Sequence, residues 1–228
     1  MHGLGNDFIV IDARETPLAM SAARAAALSD RRTGIGCDQL IVIEASDRAT
    51  AFMRIYNADG GEVEACGNAA RCVATLLGAA ATIDSAAGIL DAAATEATAT
   101  ILYPPPRFGW DEIPLAYAMD THDMPVGWDE LERPIAVNVG NPHVIFFVPD
   151  VDAVPLDVLG PVIEHDALFP ARINVNLAQV VARDHVRLRV WERGAGLTQA
   201  CGTGACATAV AAIRRGLVGN RAVRDLQE

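Results

Sequence analysis

Long apolar runs are missing from this chain. No uninterrupted stretch reaches the roughly 20 residues that a membrane-spanning helix needs, and no charged-then-apolar leader opens the sequence. The first residues, MHGLGNDF, are polar and glycine-bearing, so a cytoplasmic protein with no membrane partner is expected. Positive charge is also scarce. Against 29 Asp and Glu stand 18 Lys and Arg, for a net charge of −11, which argues against a nucleic-acid partner because phosphates demand a basic face. C-x-x-C pairs are absent, and the five cysteines are an odd number. That argues against a thiol–disulfide oxidoreductase and favours free thiols over a disulfide framework. No histidine lies close enough to a cysteine pair to complete a zinc pattern, so no metal is expected. What remains, 51% hydrophobic and 21% charged over 228 residues, is enough for one large globular domain or two of ordinary size.

The most informative feature present is a repeat. Shifted by 135 positions, Arg54 to Ala74 fall on Arg189 to Ala209 without a gap, with seven identities in 21 pairs. The identities are Arg54/Arg189, Gly61/Gly196, Ala65/Ala200, Cys66/Cys201, Gly67/Gly202, Ala70/Ala205 and Ala74/Ala209, while Ile55/Val190, Tyr56/Trp191 and Glu64/Gln199 are close in kind. The same shift sets Gly5-Asn6 on Gly140-Asn141 and Gln39 on Asn174. Coincidence in an alanine-rich chain supplies matched alanines but not paired Cys-Gly and Gly-Asn in one register. Two copies of one fold are expected. A full second copy would run to about residue 270, so the second half is expected to be C-terminally incomplete.

Within the first copy, strands are expected at Ile9 to Ile11, Leu40 to Ile43 and Phe52 to Tyr56, where branched and aromatic residues gather. Ser21 suits the cap of an alanine-rich helix ending near Arg31-Arg32-Thr33-Gly34. Asn57 to Gly61 is a turn, and Ala69 to Leu77 is apolar on almost every face except Arg71. The second copy repeats the scheme, with strands at Val144 to Val148 and Val186 to Trp191 and a helix at Ala205 to Ile213. A helix without a polar face must be buried on every side. The expected class is therefore α/β of the α+β kind: two halves, residues 1–109 and 110–228, each a curved, mostly antiparallel sheet or barrel around a central helix. Residues 104–134, rich in proline and tryptophan, are expected to be an irregular connector.

Each Cys-Gly unit stands where a loop enters a buried helix. The first N–H groups of a helix carry partial positive charge, can cradle a carboxylate and favour a thiolate. Asn68 and Thr203 are good capping residues that can also bond a ligand oxygen. Inverting an amino-acid α-carbon without pyridoxal phosphate or a metal needs two groups of matched acidity on opposite faces and hydrogen bonds that hold the enolate. A repeated cysteine at two helix starts meets both demands. A buried cysteine is more often a small hydrophobe, which suits Cys37, Cys72 and Cys206 but not the repeated Cys66 and Cys201.

The blocks Met1-His2-Gly3-Leu4-Gly5-Asn6-Asp7-Phe8, Asn57-Ala58-Asp59-Gly60, Ala65-Cys66-Gly67-Asn68, Gly140-Asn141-Pro142-His143, Glu192-Arg193-Gly194-Ala195-Gly196 and Ala200-Cys201-Gly202-Thr203-Gly204 together resemble the diaminopimelate epimerases. The resemblance implies two pseudo-twofold-related halves with the site in the cleft between them. It also implies cofactor-free interconversion of LL- and meso-diaminopimelate in lysine and peptidoglycan biosynthesis, and a homodimer. On that likeness Cys66 and Cys201 are the catalytic thiols, and Gly67, Asn68, Gly202 and Thr203 bind the carboxylate at the reacting centre. Asn6, Gln39, Asn57, Asn141, Asn174, Glu192 and Arg193 line the rest of the pocket. The chemistry agrees in outline, since Arg193 suits a carboxylate and Glu192 an ammonium at the substrate's second amino-acid end.

Two features depart from the family pattern. Ala69 stands where glycine is common, and its methyl crowds a close backbone approach. The family's strands before the opening motif and after the second central helix are missing, and Arg221 to Glu228 does not read as their replacement. The rival readings are a proline or hydroxyproline racemase, which needs no pocket for a second amino-acid end, and a non-catalytic amino-acid-binding protein, which does not need both cysteines.

Overall fold

The computed structural model describes all residues except 4, 79, 96, 97, 199, 220–223, 227 and 228. Two repeat features touch these positions: the Glu64/Gln199 pair, through Gln199, and the opening motif, through Leu4. The chain forms two compact units, Met1–Pro104 and Pro105–Glu228.

In the first unit, β1 (His2–Gly3), β2 (Asn6–Asp12), β3 (Gln39–Glu44), β4 (Ala51–Asn57), β5 (Glu62–Val63), β6 (Ala80–Ser85), β7 (Gly88–Ala94) and β8 (Ala99–Leu102) form one sheet. Its order is β1-β2-β3-β4-β6-β7-β8, with β5 added to β4. Among the described residues of this unit, only β2/β3 and β4/β6 pair in parallel. Helix α1 (Ala22–Ser29) starts where Ser21 accepts the Arg24 N–H at 3.2 Å, a cap of the expected kind. Helix α2 (Gly67–Leu77) lies against β1, β6, β7 and β8. Its Ala69, Ala70, Val73 and Ala74 pack with Ile41, Ile55, Ile83 and Leu90, and each large aliphatic buried there contributes about 1.5–3 kcal/mol. The burial is not all round, however. Thr75 and Leu76 at the far end of α2 reach solvent, so the buried portion of the helix is the half nearest Cys66.

The second unit begins with a small hairpin, β9 (Gly127–Trp128) and β10 (Leu131–Glu132). Its main sheet runs β11 (Ile135–Asn138), β12 (Pro142–Phe147), β13 (Asn174–Ala182), β14 (His185–Glu192) and β15 (Gly196–Thr198), with β16 (Arg224–Leu226) added to β14. Helix α3 (Leu156–Glu164) packs on β13, β14 and β15, while α4 (Gly202–Arg214) packs on β11 through β14. No residue of α4 before Arg214 is exposed, as its apolar sequence requires.

The repeat is visible in the strand register. Phe8 pairs Gln39 and Leu40 pairs Tyr56 in the first unit; 135 positions on, His143 pairs Asn174 and Val175 pairs Trp191. A one-residue slip would send every side chain to the wrong face, so matching registers mean matching faces.

Two expectations change. Residues 105–134 are not a connector: Ile113, Leu115, Met124 and Leu131 are buried in the second unit's core with Phe146, Leu156 and Leu177. The C-terminal stretch also contributes a strand, because Arg224–Leu226 runs parallel to β14 opposite His185 to Arg187.

Candidate active site

Both repeated cysteines are helix N-caps. Cys66 caps α2, its Sγ accepting the Ala69 N–H at 3.5 Å, and Cys201 caps α4, its Sγ accepting the Gly204 N–H at 3.3 Å. Cysteine is an unusual cap, and here it occurs twice at equivalent positions. Ala69 is fully buried and occupies the repeat position of Gly204. A methyl added at Gly204 would lie 3.2 Å from the Cys201 Sγ. Cys201 is buried with Leu188 and Val190; Cys66 is half-buried.

Around each cap the same strand positions converge. In the first unit, Asn68 donates from Nδ2 to Asn6 Oδ1 at 2.7 Å; in the second, the Asn141 amide lies 3.2 Å from Thr203 Oγ1. The β3 and β13 amides brace the segments that leave the neighbouring strands: Gln39 Nε2 donates to Asn57 Oδ1 at 2.9 Å, and Asn174 Oδ1 accepts the Arg193 N–H at 2.9 Å. Asn174 also donates to the Pro142 carbonyl at 2.7 Å. Gly67, Asn68, Gly202 and Thr203 form the first helical turns, whose N–H groups the helices themselves leave unbonded.

Groups behind each corner hold it in place. Asn6 donates to Asp38 at 3.4 Å, and Arg31 forks onto Asp7 at 2.7 and 2.9 Å and reaches Asp38 at 2.8 Å. The Arg31 guanidinium holds the Asp7 carboxyl down at about 2. Arg71 donates to Asn68 Oδ1, so the asparagine's oxygen is committed to the cation and its NH₂ to Asn6. In the second unit the corresponding support is a neutral ring. His143 is fully buried, with Nδ1 3.2 Å from Asn176 Oδ1 and Nε2 3.0 Å from the Asn141 amide. Asn176 gives its NH₂ to the Gly204 carbonyl and Thr208 Oγ1, both at 3.0 Å, so its oxygen requires a hydrogen on His143 Nδ1. As placed, Asn141 turns Oδ1 to the ring and donates from Nδ2 to Thr203 Oγ1; a neutral imidazole that accepts at Nε2 requires the two ends of that amide to be exchanged.

Burial pushes His143 down to about 4, the Asn176 bond opposing the shift. Between 4 and the ordinary 6.5 the unfolded chain therefore binds a proton that the folded chain refuses. This contribution to stability is complete above 6.5 and fades as pH falls toward 4, by about 3 kcal/mol in all. Wild type is expected to lose about 2–3 kcal/mol more than His143→Gln between pH 7 and 4.5, measured by denaturant unfolding. Parallel losses would contradict a buried neutral ring.

Glu192 and Arg193 occupy different surroundings. The Glu192 carboxyl accepts the Thr198 hydroxyl at 2.5 Å and is hydrogen-bonded to Cys201; burial raises it above the usual carboxylate range. It therefore stands beside Cys201 at the start of α4. The Arg193 side chain reaches the Ala171 carbonyl at 3.1 Å. Asp38, Arg71, Asn176, Thr198 and Glu164 are not identifiable as site residues from sequence. Only Asn176, two residues from Asn174 in β13 and so on the same face of the strand, carries a signal. Among the described residues, no cluster of His, Cys, Asp and Glu could hold a metal ion, and no helix is long and apolar enough to cross a membrane.

Comparison with known proteins adds a second line of observation. A family profile described as diaminopimelate epimerase matches residues 1–103 and 135–225. The chain is 67% identical to the diaminopimelate epimerase of Rhizorhabdus wittichii over 96% of its own length and 80% of that protein's, and 65% identical to that of Sphingopyxis alaskensis over 96% and 81%. Among solved structures, a hydroxyproline epimerase from Agrobacterium vitis superposes with a TM-score of 0.64 at 16% identity, covering 99% of this chain and 79% of the other. That likeness is one of fold.

Proposed function

The chain belongs to the diaminopimelate epimerase family, and on that premise we propose that it interconverts LL- and meso-diaminopimelate with Cys66 and Cys201 as its acid–base pair. A thiolate on one face of the α-carbon takes the proton, and the C–H electron pair moves into the adjoining carboxylate. The opposite thiol then gives its proton to the other face, leaving the two sulfurs with exchanged protonation. The N–H groups at the starts of α2 and α4, with Asn68 and Thr203, hold the carboxylate as it gains charge. Asn6 and Asn141 orient those two side chains, Gln39, Asn57 and Asn174 shape the pocket, and Arg193 pairs the carboxylate at the far end. Glu192, in its raised state beside Cys201, buffers that thiol. The setting is cytoplasmic, the assembly a homodimer, and the pathway that of lysine and peptidoglycan.

The observation that carries this reading is the repeated cysteine cap, with each Sγ on the N–H of the third helical residue, a placement that favours thiolate. Composition supports the cofactor-free part. All 18 residues of the Lys and Arg class are arginine, so these 228 residues offer no lysine amine to anchor pyridoxal phosphate.

Incubation of the reduced protein with LL-diaminopimelate, and in parallel with L-proline, tests the substrate. Conversion of LL to the meso form, with proline untouched, is expected on chiral chromatography. Turnover of proline alone would move the protein to the racemase reading; turnover of neither would leave an amino-acid-binding protein.

A further inference from the structure

Glu164, the last residue of α3, is only 2% exposed, and a carboxylate that deep is costly unless its oxygens are used. Both are. Oε2 accepts the Trp191 indole N–H at 2.7 Å and Oε1 accepts the Gly194 backbone N–H at 3.0 Å, with Arg172 at 3.8 Å as the nearby cation. These two donors flank Glu192 and Arg193. One turn earlier on α3, a Cβ added to Gly160 would lie 2.6 Å from the Trp191 ring, so the indole lies directly on the helix backbone. With the Arg193 N–H held by Asn174 at 2.9 Å, the segment is tied at Trp191, Arg193 and Gly194.

The repeat shows what this arrangement is for. Position 164 corresponds to Ser29, Trp191 to Tyr56, and Glu192-Arg193 to Asn57-Ala58. The first unit has Asn57-Ala58 in place of the charged pair and Ser29 in place of the carboxylate. Glu164 therefore stands in the copy whose loop carries Arg193, with serine at its counterpart in the other.

We propose that Glu164 is a positioning residue: its carboxylate braces the 191–194 segment, setting Arg193 and hence recognition of a substrate with a second amino-acid end. This rests on the diaminopimelate reading above. Glu164→Gln leaves one oxygen for Gly194 but turns an NH₂ toward the indole N–H, setting donor against donor. Trp191→Phe removes that indole donor while keeping an aromatic ring on Gly160.

Two readouts separate the brace from the reading it rests on. Steady-state kinetics with LL-diaminopimelate are expected to show KM raised about tenfold in Glu164→Gln with kcat within about threefold, and KM largely recovered in Glu164→Gln/Trp191→Phe. Amide hydrogen exchange, read by mass spectrometry without substrate, is expected to speed up about tenfold at 192–198 in Glu164→Gln and to stay unchanged in α1. Unaltered exchange and KM would overturn the proposal, as would equal loss of kcat and kcat/KM without recovery in the double variant. Faster loop exchange in a protein whose wild type does not turn over diaminopimelate would uphold the brace and overturn the substrate. Should Glu164→Gln fail to fold, Trp191→Phe alone removes one of the two bonds and is expected to raise KM about threefold; an unchanged KM there would overturn the proposal.

Discussion

Alanine at either Cys66 or Cys201 is expected to lower the rate of inversion by about three to four orders of magnitude, at the upper end of what one positioned acid or base supplies. The double variant should be little worse than either single one, because inversion needs both sulfurs in the same turnover and groups that act as a unit are not additive. Folding should survive. Each sulfur is a helix cap accepting one N–H, and losing such a cap costs about 1 kcal/mol. The remaining thiol still faces one side of the α-carbon, so each single variant should exchange the α-proton of one stereoisomer without inverting it, and the two variants should prefer opposite stereoisomers. Chiral chromatography with NMR in D₂O checks both parts. Inversion retained within tenfold of wild type in either variant would remove that cysteine from the mechanism.

The largest stability effect is expected at Gly60, in the turn between β4 and β5. Its φ is +85°, and a Cβ there would lie 2.1 Å from the Ala22 carbonyl oxygen at the start of α1. Alanine must therefore both adopt a positive-φ backbone, at about 1–3 kcal/mol, and push α1 away from the turn. The sum is expected to reach about 4 kcal/mol, among the largest costs of a single substitution, or a fall in Tm of roughly 10 °C for a chain of this size. Gly78 isolates the first term. Its φ is +107° and ψ −165°, a backbone that disfavours any side chain, but nothing lies within 4 Å of a Cβ built on it, so Gly78→Ala should cost only about 1–3 kcal/mol. Equal Tm shifts for the two variants would contradict close packing of α1 on the turn. Gly60→Ala should also disturb Asn57, whose N–H and carbonyl close that turn on Gly61 and Gly60 at 2.8 and 2.9 Å.

The amino-acid sequence is most legible where it repeats. The 135-residue shift locates both helices, both cysteine caps and the strands that face them, because a duplicated fold keeps residue periodicity and turn chemistry together. The Ser21 cap and the Asn57 to Gly61 turn are legible for the same local reason. The supports are not. Asp38 sits beside Gln39 in sequence but acts on Asn6 and Asp7 across a strand pair, and Glu164 reaches a loop about 30 residues further along the chain. Neither spacing follows a helical or strand period. The role of His143 is equally hidden, because its neutrality depends on complete burial and on Asn176, neither of which a local pattern encodes. Residues 105–134 mislead for a related reason. Proline and tryptophan suggest an irregular path, and that path is indeed irregular, but Ile113, Leu115, Met124 and Leu131 find their partners only in the tertiary core. The same holds for β16, three residues long, whose strand character is conferred by β14.

The most direct test of two thiols on opposite faces is the early distribution of deuterium when reduced protein and LL-diaminopimelate are mixed in D₂O. Thiols equilibrate with solvent, so the donor sulfur carries deuterium while the acceptor receives the substrate's own protium. In the first few per cent of reaction, the meso product should carry deuterium at its inverted centre and the remaining LL substrate should carry almost none. Deuterium appearing equally in substrate and product, or protium retained in the product, would mean that a single group serves both faces and would contradict the assignment of Cys66 and Cys201 as a pair.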